Sequence, residues 1–192
     1  MTLADRRGWQ YAACGAAVIV AVAASVLVVP GFAGVLGGAL ALVMIAIAVI
    51  DARNFIIPNK LVLAALALGC LDAWMAQSGA SAPVALLVAV LRGLGVAVAF
   101  WILRAGYVRL RGREGIGLGD IKLAGVAGIW LDLLAIALAI EIAALAALAV
   151  VLLRALRGRR VTGTTPVPFG LFFAPAIWIC WLLERSILQA AF

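Results

Sequence analysis

The sequence predicts an all-α protein, a polytopic transmembrane helical bundle. Its 192 residues are 68% hydrophobic and have a mean hydropathy of +1.26. Ordinary soluble domains are roughly 45–50% apolar, so a water-soluble core is too small to bury this much apolar surface. Apolar runs of about eighteen residues or more recur along the chain, and each is long enough to cross the hydrocarbon layer as a helix.

The apolar runs define about seven spans. Four are clear, and the stretch Ile121–Leu153 is too long for one crossing, so we divide it near Leu131–Leu134. If that stretch is partly re-entrant, the number of spans is six. The first run is longer than a signal-peptide core, which predicts a retained span. We expect a single membrane-embedded domain over 1–192, with 1–29 as an extra N-terminal span. The predicted spans are 10–29, 33–50, 59–76, 83–103, the two halves of 121–153, and 168–190.

Basic residues predict the orientation of the bundle. They occupy alternate connections, and the connections 30–34 and 72–83 contain no Lys or Arg. By the positive-inside rule, the basic connections face the cytoplasm. The net charge of +7 therefore reflects membrane topology, and we expect no nucleic-acid partner. The basic connections contain Arg6 and Arg7, Arg53 and Lys60, Arg104 to Arg113 with Lys122, and Arg154 to Arg160.

Composition also limits the chemistry. The chain contains no histidine, which excludes a Ser-His-Asp triad, a Cys-His pair and histidine-based metal motifs. Its cysteines, Cys14, Cys70 and Cys180, are isolated within apolar stretches and suggest neither a disulfide framework nor a paired metal site. Acid–base chemistry must therefore rely on carboxylates, Lys, Tyr or Cys, and we expect neither a cofactor nor a metal.

Two of the basic connections contain unusual motifs. One reads Asp51-Ala-Arg-Asn-Phe-Ile-Ile-Pro58-Asn, and the other contains Gly117-Leu-Gly119-Asp120-Ile-Lys. Asp51 closes the second span and Asp120 opens the fifth, so both carboxylates lie at the same membrane edge. Two carboxylates in a poorly hydrated site share a proton and can activate water. Helix capping, or a solvated helix end, is the structural alternative for each aspartate.

Other residues around the motifs are secondary candidates. Pro58 suits the first turn of the next helix, and Gly117 and Gly119 allow close approach of backbone or ligand. Lys122 is either an interfacial lysine that reaches lipid phosphates or a contact of the substrate or the aspartates. We take Lys122, Gly117, Gly119 and Pro58 as candidate substrate-binding residues.

Two further charged residues fall inside predicted spans. Arg92 lies in the fourth span and Glu141 in the sixth, where exposure to lipid is costly. We expect them to form a buried ion pair. The alternative is that they line the path of a small membrane transporter or channel.

The two aspartate motifs resemble those of the prepilin peptidase family of aspartic membrane peptidases, whose second motif is GxGD. A third stretch, Val167-Pro-Phe-Gly-Leu-Phe-Phe-Ala-Pro175, is similar to the Pro-Phe-Gly segment before that family's last span. The likeness covers 43–176, the motif-bearing core. It implies that Asp51 and Asp120 are the catalytic pair. It also implies that the substrate is a type IV pilin-like precursor, with a basic leader ahead of a hydrophobic helix.

The chain differs from the larger bifunctional members, which carry two Cys-x-x-Cys pairs and also N-methylate the cleaved product. It is most similar to the short branch associated with tight-adherence (Flp) pili, which implies cleavage without methylation. The implied location is the bacterial inner membrane, with the active site facing the cytoplasm. The implied partners are the prepilin or pseudopilin substrate, membrane lipid and a pilus assembly machinery.

Overall fold

A computed structural model describes residues 3–158 and 167–190, and these residues form helices with no strand. The prediction of an all-α bundle is confirmed. Part of the predicted cytoplasmic connection, 159–166 with Arg159 and Arg160, lies outside the described residues. The helices are α1 (Leu3–Val28), α2 (Phe32–Asn54), α3 (Asn59–Met75), α4 (Ser81–Arg111), α5 (Leu118–Trp130), α6 (Leu133–Leu156) and α7 (Gly170–Ala190).

The helices differ in length relative to the bilayer. Four of the described helices, α2, α4, α6 and α7, are long and apolar enough to cross a membrane. In contrast, α5 has only 13 residues. At about 1.5 Å per residue it is about 20 Å long, which is shorter than a hydrocarbon layer of roughly 30 Å. The predicted break in 121–153 is present, because Leu131 and Asp132 separate α5 from α6.

The core lies among α2, α5 and α7. Its largest side chains are fully buried and include Met44 of α2, Leu123 of α5, and Phe173 and Trp181 of α7. Small residues bring the backbones together, as is usual between membrane helices. A Cβ atom on Gly37 of α2 would overlap the indole ring of Trp181.

The helix directions give the bundle two distinct ends. Near the start of α7, the backbone N–H of Leu171 contacts Asp51, and near its end Arg185 pairs with Asp72. We call these the motif end and the opposite end. As predicted, Asp72 lies at the end of the bundle away from Asp51. Asp132 lies at the same end, where its N–H donates to Glu184 of α7, and its side chain caps α6 by accepting a hydrogen bond from the Ala135 N–H.

The predicted pair of Arg92 and Glu141 is wrong. Arg92 donates hydrogen bonds to the carbonyls of Gly128 (2.7 Å) and Ile129 (3.3 Å) at the C-terminal end of α5. Glu141 is exposed on the surface of α6. The sequence identified Arg92 as needing a buried partner, but it gave no sign that helix carbonyls would serve. Helix α4 continues to Arg111, beyond the predicted span of 83–103, so the helix is longer than that span.

Candidate active site

Asp51 lies in the last turn of α2 and is buried, with 5% of its surface exposed. Phe55 ends the helix by adopting a left-handed conformation with φ 54°, and its N–H donates to the Asp51 carbonyl. The carboxylate is held by a distant segment, since Oδ2 accepts a 3.0 Å hydrogen bond from the Leu171 N–H. The third motif stretch is thus brought against the first.

Gly170 makes this contact possible. A Cβ atom on Gly170 would lie 2.9 Å from Asp51 Oδ2 and 2.9 Å from Ile57 Cδ1. Real Cβ atoms essentially never approach so closely, so the position requires glycine unless its neighbours move. Sequence reasoning noted the Pro-Phe-Gly stretch only as a resemblance and gave Gly170 no role. The signal that could have identified Gly170 is its position at the predicted start of the last helix.

Asp120 lies in the first turn of α5, as predicted. The backbone N–H of Gly117 donates a 3.1 Å hydrogen bond to Asp120 Oδ2, so this carboxylate caps its own helix. The capping alternative for Asp120 is therefore realised in the structure. It does not exclude chemistry, because the cap uses only one of the two carboxylate oxygens. Gly119 allows close packing, since a Cβ there would lie 3.0 Å from Ile57 Cδ1.

The surroundings of Asp120 perturb the pKa of its carboxyl. The residue precedes the apolar run that begins at Ile121, so it lies outside the predicted membrane-spanning segments. Burial raises the pKa of its carboxyl to about 6, the Gly117 hydrogen bond opposes the rise, and the negative charge of Asp51 adds to it. The charge of one aspartate is thus felt by the other, as expected for a pair that shares a proton.

The two aspartates line the same groove, whose volume is about 1210 Å³. Lys122, Gly117 and Gly119 also line it, whereas Pro58 does not. The groove lies between α4 and α6, which do not contact each other over their described lengths. Its apolar wall residues include Phe100 and Leu103 of α4 and Ile140, Ala147, Leu148 and Val151 of α6.

Lys122 connects the two aspartate motifs. Its Nζ donates a 2.7 Å hydrogen bond to Oδ1 of Asn59, the first residue of α3. Pro58 is the residue just before this helix, one position earlier than predicted. The bond therefore joins the start of α3 to the start of α5, and both lie directly beside the catalytic candidates.

Arg104 supports the loop that leads to Asp120. It donates to the Ile116 carbonyl at 2.9 Å and forms an ion pair with Glu114. Gly115 packs against the ring of Tyr107, where a Cβ atom would lie 2.5 Å away. Sequence reasoning treated Arg104 only as a topology signal, because no local pattern shows which loop carbonyl an arginine will reach.

Comparison with known proteins identifies the family. Residues 38–152, more than half of the chain, match the model of the type IV leader peptidase family. The prepilin leader peptidase/N-methyltransferase of Pseudomonas aeruginosa is 34% identical over 154 residues, covering 77% of this chain and 50% of the relative. The protein of the same name from Burkholderia pseudomallei is 36% identical over 132 residues, covering 68% of this chain and 40% of the relative.

A third relative of the same name, from Aeromonas hydrophila, is 28% identical over 173 residues, covering 88% of this chain and 56% of the relative. The chain thus spans about half the length of the curated relatives it matches. No solved structure matches it. The family match includes both aspartates and both glycines of the second motif. The chain therefore belongs to the type IV leader peptidase family.

Proposed function

We propose that this protein is an aspartic endopeptidase that removes the leader peptide of type IV pilin-like precursors, with Asp51 and Asp120 as its catalytic pair. The observation that carries the proposal is that the two carboxylates line one groove, where the negative charge of Asp51 adds to the raised pKa of Asp120. Family membership and the names of the relatives support the same activity.

The two carboxylates have complementary tasks in peptide hydrolysis. The ionised one takes a proton from water as the water oxygen attacks the scissile carbonyl carbon, and the protonated one gives its proton to the carbonyl oxygen. The resulting gem-diol then collapses. The first carboxyl protonates the leaving nitrogen as the C–N bond breaks, and one diol hydroxyl returns its proton to the second. Both aspartates end in their starting states.

The groove suits a substrate with a hydrophobic helix beside its cleavage site. Apolar side chains of α4 and α6 form its walls, and the aspartates lie at the motif end. We propose that the first turns of the pilin helix lie between α4 and α6.

The proposed location is the bacterial inner membrane, with the motif end at the cytoplasmic face. The support is the concentration of Lys and Arg in the connections at that end. A cytoplasmic site meets a precursor before its mature part is exported. We also propose that 43–176 is the catalytic core and that 1–29 helps to frame the bundle.

The finer assignment concerns substrate branch and product. We propose Flp-type precursors, because Arg53 follows Asp51 by two positions and Asn59 follows Pro58, as in the tight-adherence branch that the sequence resembles. We further propose that these 192 residues cleave without methylating, because their three cysteines form no Cys-x-x-Cys pair. Incubation with S-adenosylmethionine and a cleaved pilin tests this, and methyl transfer by the purified chain would contradict it.

The decisive test of the peptidase is cleavage of candidate prepilins by purified protein, with the new amino terminus identified by mass spectrometry. Asp51→Asn and Asp120→Asn should each abolish cleavage, and the double variant should resemble either single one, because each carboxyl is ineffective without the other. Asp132→Asn is the matched control, since the asparagine oxygen can still cap α6 at the opposite end. Near-normal turnover by either motif variant, with insertion verified, would end the proposal.

A further inference from the structure

The connection between α4 and α5 folds back along the last turns of α4. Gly112 ends α4 in a left-handed conformation with φ 66°. Beyond it, Glu114 pairs with Arg104, and Gly115 packs so closely on the ring of Tyr107 that a Cβ atom would lie 2.5 Å from it. Arg104 and Tyr107 lie on one face of α4. The connection that leads into α5 is therefore held against the side of α4.

The peptide group that joins Ile116 to Gly117 is contacted from both sides. Arg104 Nη1 donates a 2.9 Å hydrogen bond to its carbonyl oxygen, and its N–H donates a 3.1 Å hydrogen bond to Asp120 Oδ2. In a planar trans peptide group the C=O and the N–H point in opposite directions, so a donor that fixes the oxygen also fixes the direction of the N–H. Arg104 and Asp120 are thus linked through one rigid plane.

Local structure alone restrains this plane poorly. Gly117 has no Cβ atom, so the backbone beside the peptide group can adopt many conformations. Arg104 supplies a restraint from a long helix, and its side chain is only 15% exposed. Its planar guanidinium carries several donors, so it can hold the Ile116 carbonyl and Glu114 at the same time.

We propose that Arg104 is a positioning residue, which holds the 116–117 peptide group and, through it, the carboxyl of Asp120. The inference rests on the proposed peptidase function and deepens it. Arg104 does not line the groove between α4 and α6, so it acts through the peptide group and not on the substrate. Its hydrogen bond also polarises the peptide group, which strengthens the N–H as a donor to Asp120.

Loss of the Arg104 contact should make Asp120 harder to ionise. The Gly117 N–H favours the charged carboxylate, so a misdirected N–H raises the pKa of Asp120 above its value of about 6. A lost hydrogen bond of this kind corresponds to about one pH unit, and a loosened one to about half a unit. The displaced carboxyl should also lower kcat about tenfold. KM should change little, because the walls of the groove are intact.

Several charged or titratable groups share the groove with Asp120. The part of α6 that lines it is apolar, as is the segment before α7, and the charged residues of α3 do not line it. None of the groups in the groove changes in Arg104→Lys, which also keeps the positive charge, so a shift in that variant reports the lost geometry. The groups are Asp51 of α2, Tyr107 of α4, Arg113 and Glu114 of the connection, and Lys122 of α5.

The test compares two arginines of α4. Arg104→Lys replaces the planar fork with one compact ammonium group, which cannot hold both acceptors in the same geometry, and Arg104→Met removes every donor. Arg109→Lys and Arg109→Met are the matched controls, because Arg109 is exposed and forms no ion pair among the described residues. Gly117→Ala disturbs the same link from its other side, since a Cβ atom there would lie 3.1 Å from Asp120 Oδ2.

The first measurement is an infrared titration of the purified protein in liposomes. The protonated carboxyl band that Asp120→Asn removes gives the titration midpoint of Asp120 without any substrate. The second measurement is kcat and KM for prepilin cleavage. Both Arg104 variants should raise the midpoint by about half a unit to one unit and lower kcat about tenfold, whereas the Arg109 variants should change neither. Adding Gly117→Ala to Arg104→Lys should give no further shift, because both act on one hydrogen bond.

Four results would overturn the inference while the peptidase stands. Equal shifts in the Arg104 and Arg109 variants would show a general effect of charge. Unchanged midpoint and kcat in the Arg104 variants, with lower thermal stability, would show a packing role only. Additive shifts of Arg104→Lys and Gly117→Ala would show that the two act independently. An equal upward shift in Glu114→Gln would show that the ion pair acts, and not the bond to the carbonyl.

Failure of the proposed function gives a different result. If the wild type cleaves no prepilin, the proposed peptidase activity fails. The infrared titration still decides whether Arg104 acts on Asp120, because it needs no substrate. Either Arg104 variant is decisive alone beside its Arg109 control, so misfolding of one still leaves a result.

Discussion

Replacing Asp120 with asparagine should stabilise the protein at neutral pH while removing its proposed activity. The pKa of Asp120 is raised to about 6 in the folded protein, against about 3.9 for an unfolded aspartate. Between these values the folded state binds more protons, so stability falls as the pH rises from about 4 to 6. Above pH 6 the wild type carries the full cost of the charge, and the variant does not.

The size of the effect follows from the shift. About two pKa units correspond to roughly 3 kcal/mol, at about 1.36 kcal/mol per unit. Asp120 is partly exposed, and solvent screening reduces this to about 1–2 kcal/mol. The hydrogen bond from the Gly117 N–H survives, because the asparagine oxygen can accept it. At about 2–4 °C per kcal/mol, the unfolding midpoint at pH 7 should rise by several degrees.

The assay is thermal unfolding in detergent from pH 4 to 8, followed by tryptophan fluorescence. Asp120→Asn should match the wild type near pH 4 and exceed it above pH 6. Asp72→Asn is the contrasting control, because Asp72 pairs with Arg185 at 2.6 Å and its loss should lower the midpoint at pH 7. An advantage of Asp120→Asn that is the same at all pH values, or a lower midpoint at pH 7, would refute the reasoning.

Three further predictions concern the groove, the motif bridge and the packing. Leu148→Trp should raise KM several-fold, because the larger side chain fills the groove. Leu145→Trp is the control, because Leu145 lies on α6 but does not line the groove. Equal effects of the two variants on KM would contradict the proposed substrate path. Lys122→Met and Asn59→Ala should each lower kcat, and a double-mutant cycle should show them non-additive by about 0.5–3 kcal/mol. Gly128→Ala should lower the unfolding midpoint through about 1–3 kcal/mol of overpacking, since its Cβ would lie 2.7 Å from the backbone of α4.

The sequence was sufficient where local chemistry decides the structure. The length of the apolar runs predicted the helices. The break at Leu131 and Asp132 was expected, because the 33 residues of the apolar stretch 121–153 are too many for one span. The family prediction is confirmed by the match over 38–152. What could not be predicted depends on contacts between distant segments. The amide that holds Asp51 is 120 positions away, and the carbonyls that hold Arg92 are 36 and 37 positions away.

The short length of α5 links the Arg92 contact to the open groove. The carbonyls in the last turn of α5, a helix of 13 residues, have no partner within their own helix. Arg92 supplies the missing donors from the middle of α4. The chain then turns at once into α6, which packs on α7, shares few contacts with α5 and none with α4 over their described lengths. The space between α4 and α6 therefore follows from where α5 ends. A longer α5 would pair these carbonyls within the helix, so it would remove the need for Arg92 and would change the groove at the same time.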